Sequence, residues 1–460
     1  MVNTGNIEPV PEIGPSQAPV TIGPADHPIR PEALDSDALF VLHKLNAAGF
    51  SSYLVGGGVR DLYLGKTPKD FDISTDARPG QIRKLFPNSA TIGKRFRLVQ
   101  VFFQHGKIIE VSTLRSLSEH DLDGPEAVLA PNNAFGSLDE DAQRRDLTIN
   151  SLFFETEHCT IIDYVNGVRD LDDSIIRIVG DADKRINRDP VRMMRAIRHC
   201  ARANFTIEAA TWKAICNNAQ KLTLCPTSRL RDELLKDLYG GAAAAWFQLA
   251  VDAGIFASLF PFYRKILLQA PKEGPSYRDQ LASIMAVIDR INILLSQQKR
   301  PKPSHSFILA LLLIPWADAR YDLCHQQLQG HALFHFLKQI REDLDSNIGV
   351  QLNLRRSLRQ EMATLLTNLP IFIQHHLNGS WPKWLKKKSY FKDSTLFFQY
   401  YMEAMNAQQV PDRSIDLFKA PQKSEKTAVG IGSPDETVAP RKSRPAFSRK
   451  HGGGIFGFKK

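Results

Sequence analysis

The sequence predicts an α+β head followed by an all-α remainder, with disordered arms at both ends. Three observations point there. Short β-prone runs alternate with short helical patterns over residues 35–172. From about residue 181 to 406, apolar residues recur at helical spacing and strand patterns cease. Residues 1–34 and 409–460 are rich in Pro, Gly and isolated polar residues without periodicity.

A chain of 460 residues exceeds one compact core. At roughly 100–200 residues per domain, two to four domains are expected. A hydrophobic fraction of 43% with 23% charged residues is ordinary for a soluble globular protein. Lys plus Arg total 59 against 49 Asp plus Glu, a net +10 that modestly favours polyanionic partners. The five cysteines form no CxxC pair and are odd in number. That argues against a disulfide framework or zinc knuckle and fits a reducing cytoplasm. No secretory leader pattern opens the chain, and no run approaches the roughly 18 apolar residues of a membrane span. The richest run, 307–316, reads as a buried core helix.

In order, the first helix is expected over 37–48, after a possible cap at Ser36. A strand over 52–55 leads through a Gly-rich turn into a helix over 59–64, and a second strand covers 71–75. Pro79 opens a helix to residue 86. Strands over 91–92, 98–103 and 108–114 follow, with His105, Gly106 and Lys107 turning the last pair. Residues 117–136 read as a loop, 138–154 as one helix and 160–165 as a strand. Amphipathic helices are then expected over 190–203, 229–238 and 277–295.

Leu54-Val55-Gly56-Gly57-Gly58-Val59-Arg60-Asp61 runs from strand through Gly turn to helix. Glycines admit close approach of backbone N–H groups to phosphate, and Arg60 adds a forked donor. Alone, such a turn is as readily structural. Asp70-Phe71-Asp72 places two carboxylates at i and i+2 of a strand, so they share a face and converge, with Phe71 directed into the core. Such a pair is costly without a cation, and carboxylates suit Mg2+ or Mn2+. Glu110 is the one charge in the apolar strand Ile108-Ile109-Glu110-Val111. Alternation sends it either to solvent or to the cleft of the aspartates. In the cleft, three carboxylates would hold two metal ions about 3.5–4 Å apart for in-line phosphoryl displacement.

In Arg144-Arg145-Asp146 with Asn150, Asp146 and Asn150 share a helix face at i and i+4, and the set suits a triphosphate and a ribose or is a solvated charged face. Asp189 and Arg192, flanking Pro190, read either as an acceptor and donor for a nucleobase edge or as a capping aspartate paired with its arginine. Arg229 and Glu233 share a helix face and by themselves read as an ion pair. No histidine lies near these motifs in sequence, so no side-chain base is expected. Glu119-His120-Asp121 contains an HD dipeptide, but in a loop and without the further ligands of a hydrolase site.

In this order and spacing the motifs resemble the class II tRNA nucleotidyltransferase and bacterial poly(A) polymerase family, over residues 35–260 and more weakly to about 405. The resemblance implies a nucleotidyltransferase head (35–172), a neck that reads the base (173–262), a body that grips RNA (263–408), and a basic tail (409–460) after a flexible arm (1–34). It makes Asp70, Asp72 and Glu110 the catalytic acids, with Asp70 and Asp72 as metal ligands. It assigns the triphosphate to Gly56, Gly57 and Arg60, and the sugar and phosphates to Arg145, Asp146 and Asn150. Asp189 and Arg192 would face the adenine edge, supported by Arg229 and Glu233. The family usually has an acid where this chain has Arg188.

Within the family, the basic run Gly93-Lys94-Arg95-Phe96-Arg97, the triple glycine 56–58 and the tail resemble the polymerase branch. The tail carries Arg441, Lys442 and Arg444, with no acid after Pro440. Expected RNA contacts are therefore Arg95, Arg97, Arg441, Lys442 and Arg444. Lys386, Lys387 and Lys388 join them, from a stretch that interleaves Trp381, Trp384, Tyr390 and Phe391 with cations. That stretch reads equally as a packed helix with snorkelling lysines.

The implied activity is template-independent polyadenylation of RNA 3′ ends. AMP would come from ATP with release of pyrophosphate, by a two-metal mechanism with Mg2+ or alternatively Mn2+, promoting RNA processing and decay. The alternative is CCA addition to tRNA. Expected partners are RNA 3′ ends and ATP, with RNA-decay or RNA-chaperone proteins as accessories and no membrane. The chain is expected to be a cytoplasmic monomer.

Overall fold

The structure, a computed structural model, describes residues 18–93, 98–116, 135–271, 274–378 and 381–406. An eight-stranded mixed sheet forms the head. Its strands are β1 (Val20–Ile22), β2 (Ser52–Val55), β3 (Asp72–Thr75), β4 (Ser89–Ile92), β5 (Leu98–Phe102), β6 (Ile108–Thr113), β7 (Phe153–Glu155) and β8 (Thr160–Asp163). Their order is β1-β8-β7-β2-β3-β6-β5-β4. Every neighbouring pair is antiparallel except β3 and β6, which run parallel.

Period-2 alternation sorts the central strands. Ile73, Val111, Val99 and Ile109 are buried in the main core with Val41, Leu42 and Leu45 of α1 (Ser36–Ala47). Asp72, Ser74, Glu110 and Ser112 alternate with them, and the two serines meet at 3.1 Å. Between strands lie α2 (Gly57–Tyr63), α3 (Pro79–Leu85), α4 (Leu138–Arg144) and then α5 (Gly167–Asp172).

Helices dominate the rest. β9 (Ile175–Ile176) leads to α6 (Ala182–Arg188) and α7 (Val191–Ala203), and β10 (Thr206–Ile207) pairs parallel with β9. Then come α8 (Ala209–Asn218), α9 (Thr227–Leu238), α10 (Ala243–Asp252), α11 (Ile255–Leu259), α12 (Tyr263–Ile266) and α13 (Tyr277–Gln297). The last are α14 (His305–Leu312), α15 (Ile314–Tyr321), α16 (Gly330–Ser346), α17 (Ile348–Gln351), α18 (Arg356–Leu377), α19 (Lys383–Lys386) and α20 (Phe391–Asn406). Among the described residues no helix is long and apolar enough to cross a membrane. All five cysteines are unpaired thiols.

Three expectations need correction. Residues 20–22, inside the expected N-terminal arm, form an edge strand whose partner is β8. The helix expected over 138–154 is broken. Ser137 and Glu140 form a capping box for α4, but Arg145 and Leu147 are extended, and a 3-10 turn (Thr148–Asn150) precedes β7. Phe153 and Phe154 are fully buried between β2 and β8, and that burial outweighs the helical reading. Asp146 and Asn150 therefore do not share a helix face. Finally, β3 begins at Asp72, so strand alternation does not place Asp70.

Candidate active site

A cleft of about 1070 Å3 opens between the head sheet and the helices α6, α7 and α9. Its walls are cationic on balance, with eleven Arg and Lys side chains against five carboxylates. Such a concave, low-dielectric surface concentrates polyanions.

The head wall begins where β2 ends. Gly56 adopts φ 68°, a left-handed value that side chains disfavour, and so turns the chain directly into α2. Arg145 lies against this turn, 3.5 Å from where a Gly56 Cβ would stand. Its guanidinium donates to the buried Asp141 carboxylate (2.8 and 3.1 Å) and to Ser74 Oγ (3.1 Å), and stacks 5.0 Å from the Phe153 ring. Arg60 Nη1 donates to Asn150 Oδ1 (2.6 Å), while its Nε and Nη2 donate to Asp61.

Three carboxylates line the floor. Asp72 and Glu110 are register partners on β3 and β6, so their side chains share one sheet face. Asp70, just before β3, lines the same cleft. Glu110, whose orientation alternation left open, thus turns to the cleft, where Gln100 Nε2 donates to it (2.9 Å). Asp72 is open to cleft solvent but hemmed by protein. Burial, then Glu110, push its carboxyl up to about 6, Arg145 opposes, and Asp70 adds to the rise. Among the described residues none of the three forms an ion pair, Arg145 acting on Asp72 only through space, and their donors are hard oxygens. The group therefore fits a divalent cation. The ligand oxygens of Asp70, Asp72 and Glu110 do not all come within 4.8 Å of one another, as those of two groups outside the cleft, Glu155/Glu157/His158 and Asp318/Asp322/His325, do.

The helical wall carries the second set. α6 ends at Arg188, and Pro190 precedes α7. Asp189 does not cap α7, nor does it pair with Arg192. Instead it accepts from Arg229 Nη2 on α9 (2.7 Å), leaving its Oδ1 buried and without a partner. Arg192 Nη2 donates to the Arg144 carbonyl (3.2 Å), leaving Nε and Nη1 buried and equally unpartnered. An acceptor on one cleft residue and two donors on another are thus left unsatisfied. Asp146 bonds Arg195 Nη1 (2.8 Å). Burial alone would raise its carboxyl, but Arg195, then His199 and Arg192, hold it well below the usual range.

Glu233 is 3% exposed and lies behind the cleft wall. It pairs with Arg198 (2.5 Å) and Lys236 (3.1 Å), and Arg198 also holds Asp237 (2.5 Å). Burial pushes the Glu233 carboxyl up, yet Arg198 and Arg195 bring it down to about 2.

The cleft thus gathers Gly56, Gly57, Arg60, Asp70, Asp72, Glu110, Arg145, Asp146, Asn150, Asp189, Arg192 and Arg229, with Glu233 buttressing Arg198. Lys386, Lys387 and Lys388 are exposed and do not line it. Arg95, Arg97, Arg441, Lys442 and Arg444, and the HD dipeptide, lie outside the described residues.

Several cleft residues escaped the sequence reading: Arg185, Arg195, Arg198 and His199. A signal existed. Arginines recur at 185, 188, 192, 195, 198 and 202, every three or four residues, which marks one helical side. His199 corrects the expectation that no histidine approaches the motifs. Its ring nitrogens lie 3.3 Å from Arg60 Nη1 and 3.4 Å from Asn150 Nδ2. Burial, then the Arg60 charge, depress it to about 3, so the ring is neutral near pH 7. Arg185, pressed by burial and by Arg192 and Arg188, is lowered to about 9.

Residues 52–177 match the family described as "Poly A polymerase head domain", and residues 204–267 the one described as "Probable RNA and SrmB- binding site of polymerase A". Poly(A) polymerase I of Salmonella typhi is 44% identical over 250 residues, 53% of this chain and 54% of that protein. A CCA-adding enzyme of Lactobacillus helveticus is 37% identical over 256 residues, 55% of this chain and 63% of that protein. The chain thus spans about half the length of the curated relatives it matches. A solved CCA-adding enzyme in complex with ATP shares the fold at 19% identity, with a TM-score of 0.54 over 84% of this chain and 81% of that one.

Proposed function

We propose that the chain, whose residues 52–177 and 204–267 match poly(A) polymerase domains, adds AMP from ATP to RNA 3′ ends without a template, releasing pyrophosphate. One observation carries the reading. Three carboxylates share a cleft with a buried acceptor, Asp189 Oδ1, and buried donors, Arg192 Nε and Nη1, that have no partner. Each such orphan costs about 1–3 kcal/mol unless something else satisfies it. An adenine edge would: its amino group donates to Asp189, and its ring nitrogen accepts from Arg192.

Asp70 and Asp72, with Glu110 as third acid, would hold the divalent cations, Mg2+ by donor chemistry and Mn2+ as an alternative. Bound there, such ions acidify a hydroxyl and neutralise phosphoryl charge. The chain's own residues do the rest. Gly56 and Gly57 admit the triphosphate to the head wall beside Arg60 and Arg145. Asp146, kept ionised by Arg195, accepts from the ribose. Asn150, oriented by Arg60, presents its amide to the same sugar. Arg188, where the family usually has an acid, adds a cation to the wall that the RNA would pass.

In this reading the head spans 35–172, the base-reading neck 173–262, and the RNA-holding body 263–408, ahead of a basic tail at 409–460. Free thiols suit a cytoplasmic setting, where tailing would feed RNA processing and decay. CCA addition is the second reading, favoured by the 37% identity to a CCA-adding enzyme but below the 44% to the polymerase. Incubation of a generic RNA with ATP alone separates the two. We expect a long ladder. No extension there, with CTP- and ATP-dependent completion of a trimmed tRNA, would establish the second reading instead.

A further inference from the structure

Trp381 and Trp384 are three residues apart, yet the fold treats them oppositely. Trp381 packs against Phe372, Phe391 and Phe398, at centroid separations of 5.3, 6.2 and 6.0 Å. Trp384 is 51% exposed, its ring edge resting on His375 of α18 (6.1 Å, 71°). Fully buried Leu385 pins this short helix to the body, so the exposed ring is carried on an anchored element. The end of α18 also leaves Leu377 80% exposed.

The charge around this ring has one sign. Lys383, Lys386, Lys387 and Lys388 are all exposed, and among the described residues none forms an ion pair. From residue 362 to 392 the sequence contains five lysines and no Asp or Glu. A snorkelling lysine covers apolar surface. Here the large apolar surface stays bare while the cations surround it. An exposed aromatic within a cationic field complements one polymer above others: a single strand with stackable bases and a charged backbone.

We propose that Trp384 is a stacking platform for a base of single-stranded RNA upstream of the 3′ end, with Lys383 and Lys386–Lys388 meeting the flanking phosphates. This rests on RNA being the substrate. The platform lies apart from the catalytic cleft, so it would act on the affinity of long RNA and not on the chemical step.

The test compares the full chain with Trp384→Ala, Trp384→Phe and the triple Lys386→Gln, Lys387→Gln, Lys388→Gln. Binding of a long oligo(A) is read by fluorescence anisotropy across salt, and AMP incorporation is read on a saturating trinucleotide primer. Trp384→Ala should weaken long oligo(A) binding by about 5- to 150-fold, the loss of one stacked base, while Trp384→Phe retains most of it. The lysine triple should lower the salt slope by about 0.7 per phosphate contact removed. Incorporation by Trp384→Ala on the short primer, and the melting temperature of every variant, should stay at parent values. Unchanged oligo(A) affinity in Trp384→Ala overturns the proposal, as does loss of binding to anionic lipid vesicles with RNA binding intact. Should the parent extend no RNA yet bind oligo(A) through Trp384, the polymerase reading fails while the platform stands.

Discussion

Asp72 and Glu110 face one another across the parallel pairing of β3 and β6. The two strands are 32 residues apart, and the intervening helix and hairpin return the chain to the same edge of β3. Register then puts both carboxylates on the cleft face, and Gln100 holds Glu110 in place. The consequence is the carboxyl of Asp72 at about 6.

Asp72→Asn should abolish AMP incorporation, by at least about three orders of magnitude for loss of charge stabilisation at a phosphoryl centre. Its melting temperature should equal or exceed the parent's, because removing one of three mutually repelling charges relieves strain. Incorporation at the parent rate would remove Asp72 from the reaction. Chelation by EDTA should silence the parent equally, with recovery on added Mg2+.

Arg192→Ala should erode selection against GTP and UTP. Adenine and cytosine both present an amino donor beside a ring acceptor, matching Asp189 and Arg192; guanine and uracil present the reverse. A bidentate contact discriminates by roughly 1–3 kcal/mol, so the ATP:GTP ratio of kcat/KM should fall by about 5- to 150-fold. An unchanged ratio would exclude Arg192 from base reading.

Glu233→Ala should destabilise the fold by about 3–5 kcal/mol, since it strips a partner from the buried Arg198 guanidinium. Denaturant unfolding at neutral pH measures this. A loss below about 1 kcal/mol would mean that Asp237 alone satisfies Arg198.

His199 gives a pH signature. Its folded value, about 3, lies below its ordinary 6.5. A depressed pKa contributes stability that is present above 6.5 and lost as pH falls towards 3. Asp72 and Asp237 are raised, to about 6 and 7, and act in the opposite sense. The measurable quantity is therefore a difference. The stability of the parent minus that of His199→Gln should decline by up to about 1.4 kcal/mol per pH unit between pH 6.5 and 4.5. A difference that stays flat would show that His199 titrates normally.

Much of the head was legible because its signals are local. Gly56 needs a positive φ, Ile73 and Val111 alternate with Asp72 and Glu110, and Pro79 starts a helix where expected. Residues 145–155 were not legible. Charged and apolar residues there follow a helical spacing, but Phe153 and Phe154 gain more by filling the gap between β2 and β8. His199 was missed because it lies 139 residues from Arg60, and only the packing of α7 on the head brings them together.

Residue types and their spacing were enough to identify the acids and the glycine turn, since charge and backbone freedom belong to the residue itself. Tertiary packing alone decided that Glu110 faces Asp72, that Asp189 bonds Arg229 and leaves Arg192 open, and that Trp384 is bare while Trp381 is not. Those outcomes depend on which neighbour arrives at a side chain from a distant segment. Linear order does not encode that proximity until strand register and helix packing impose it.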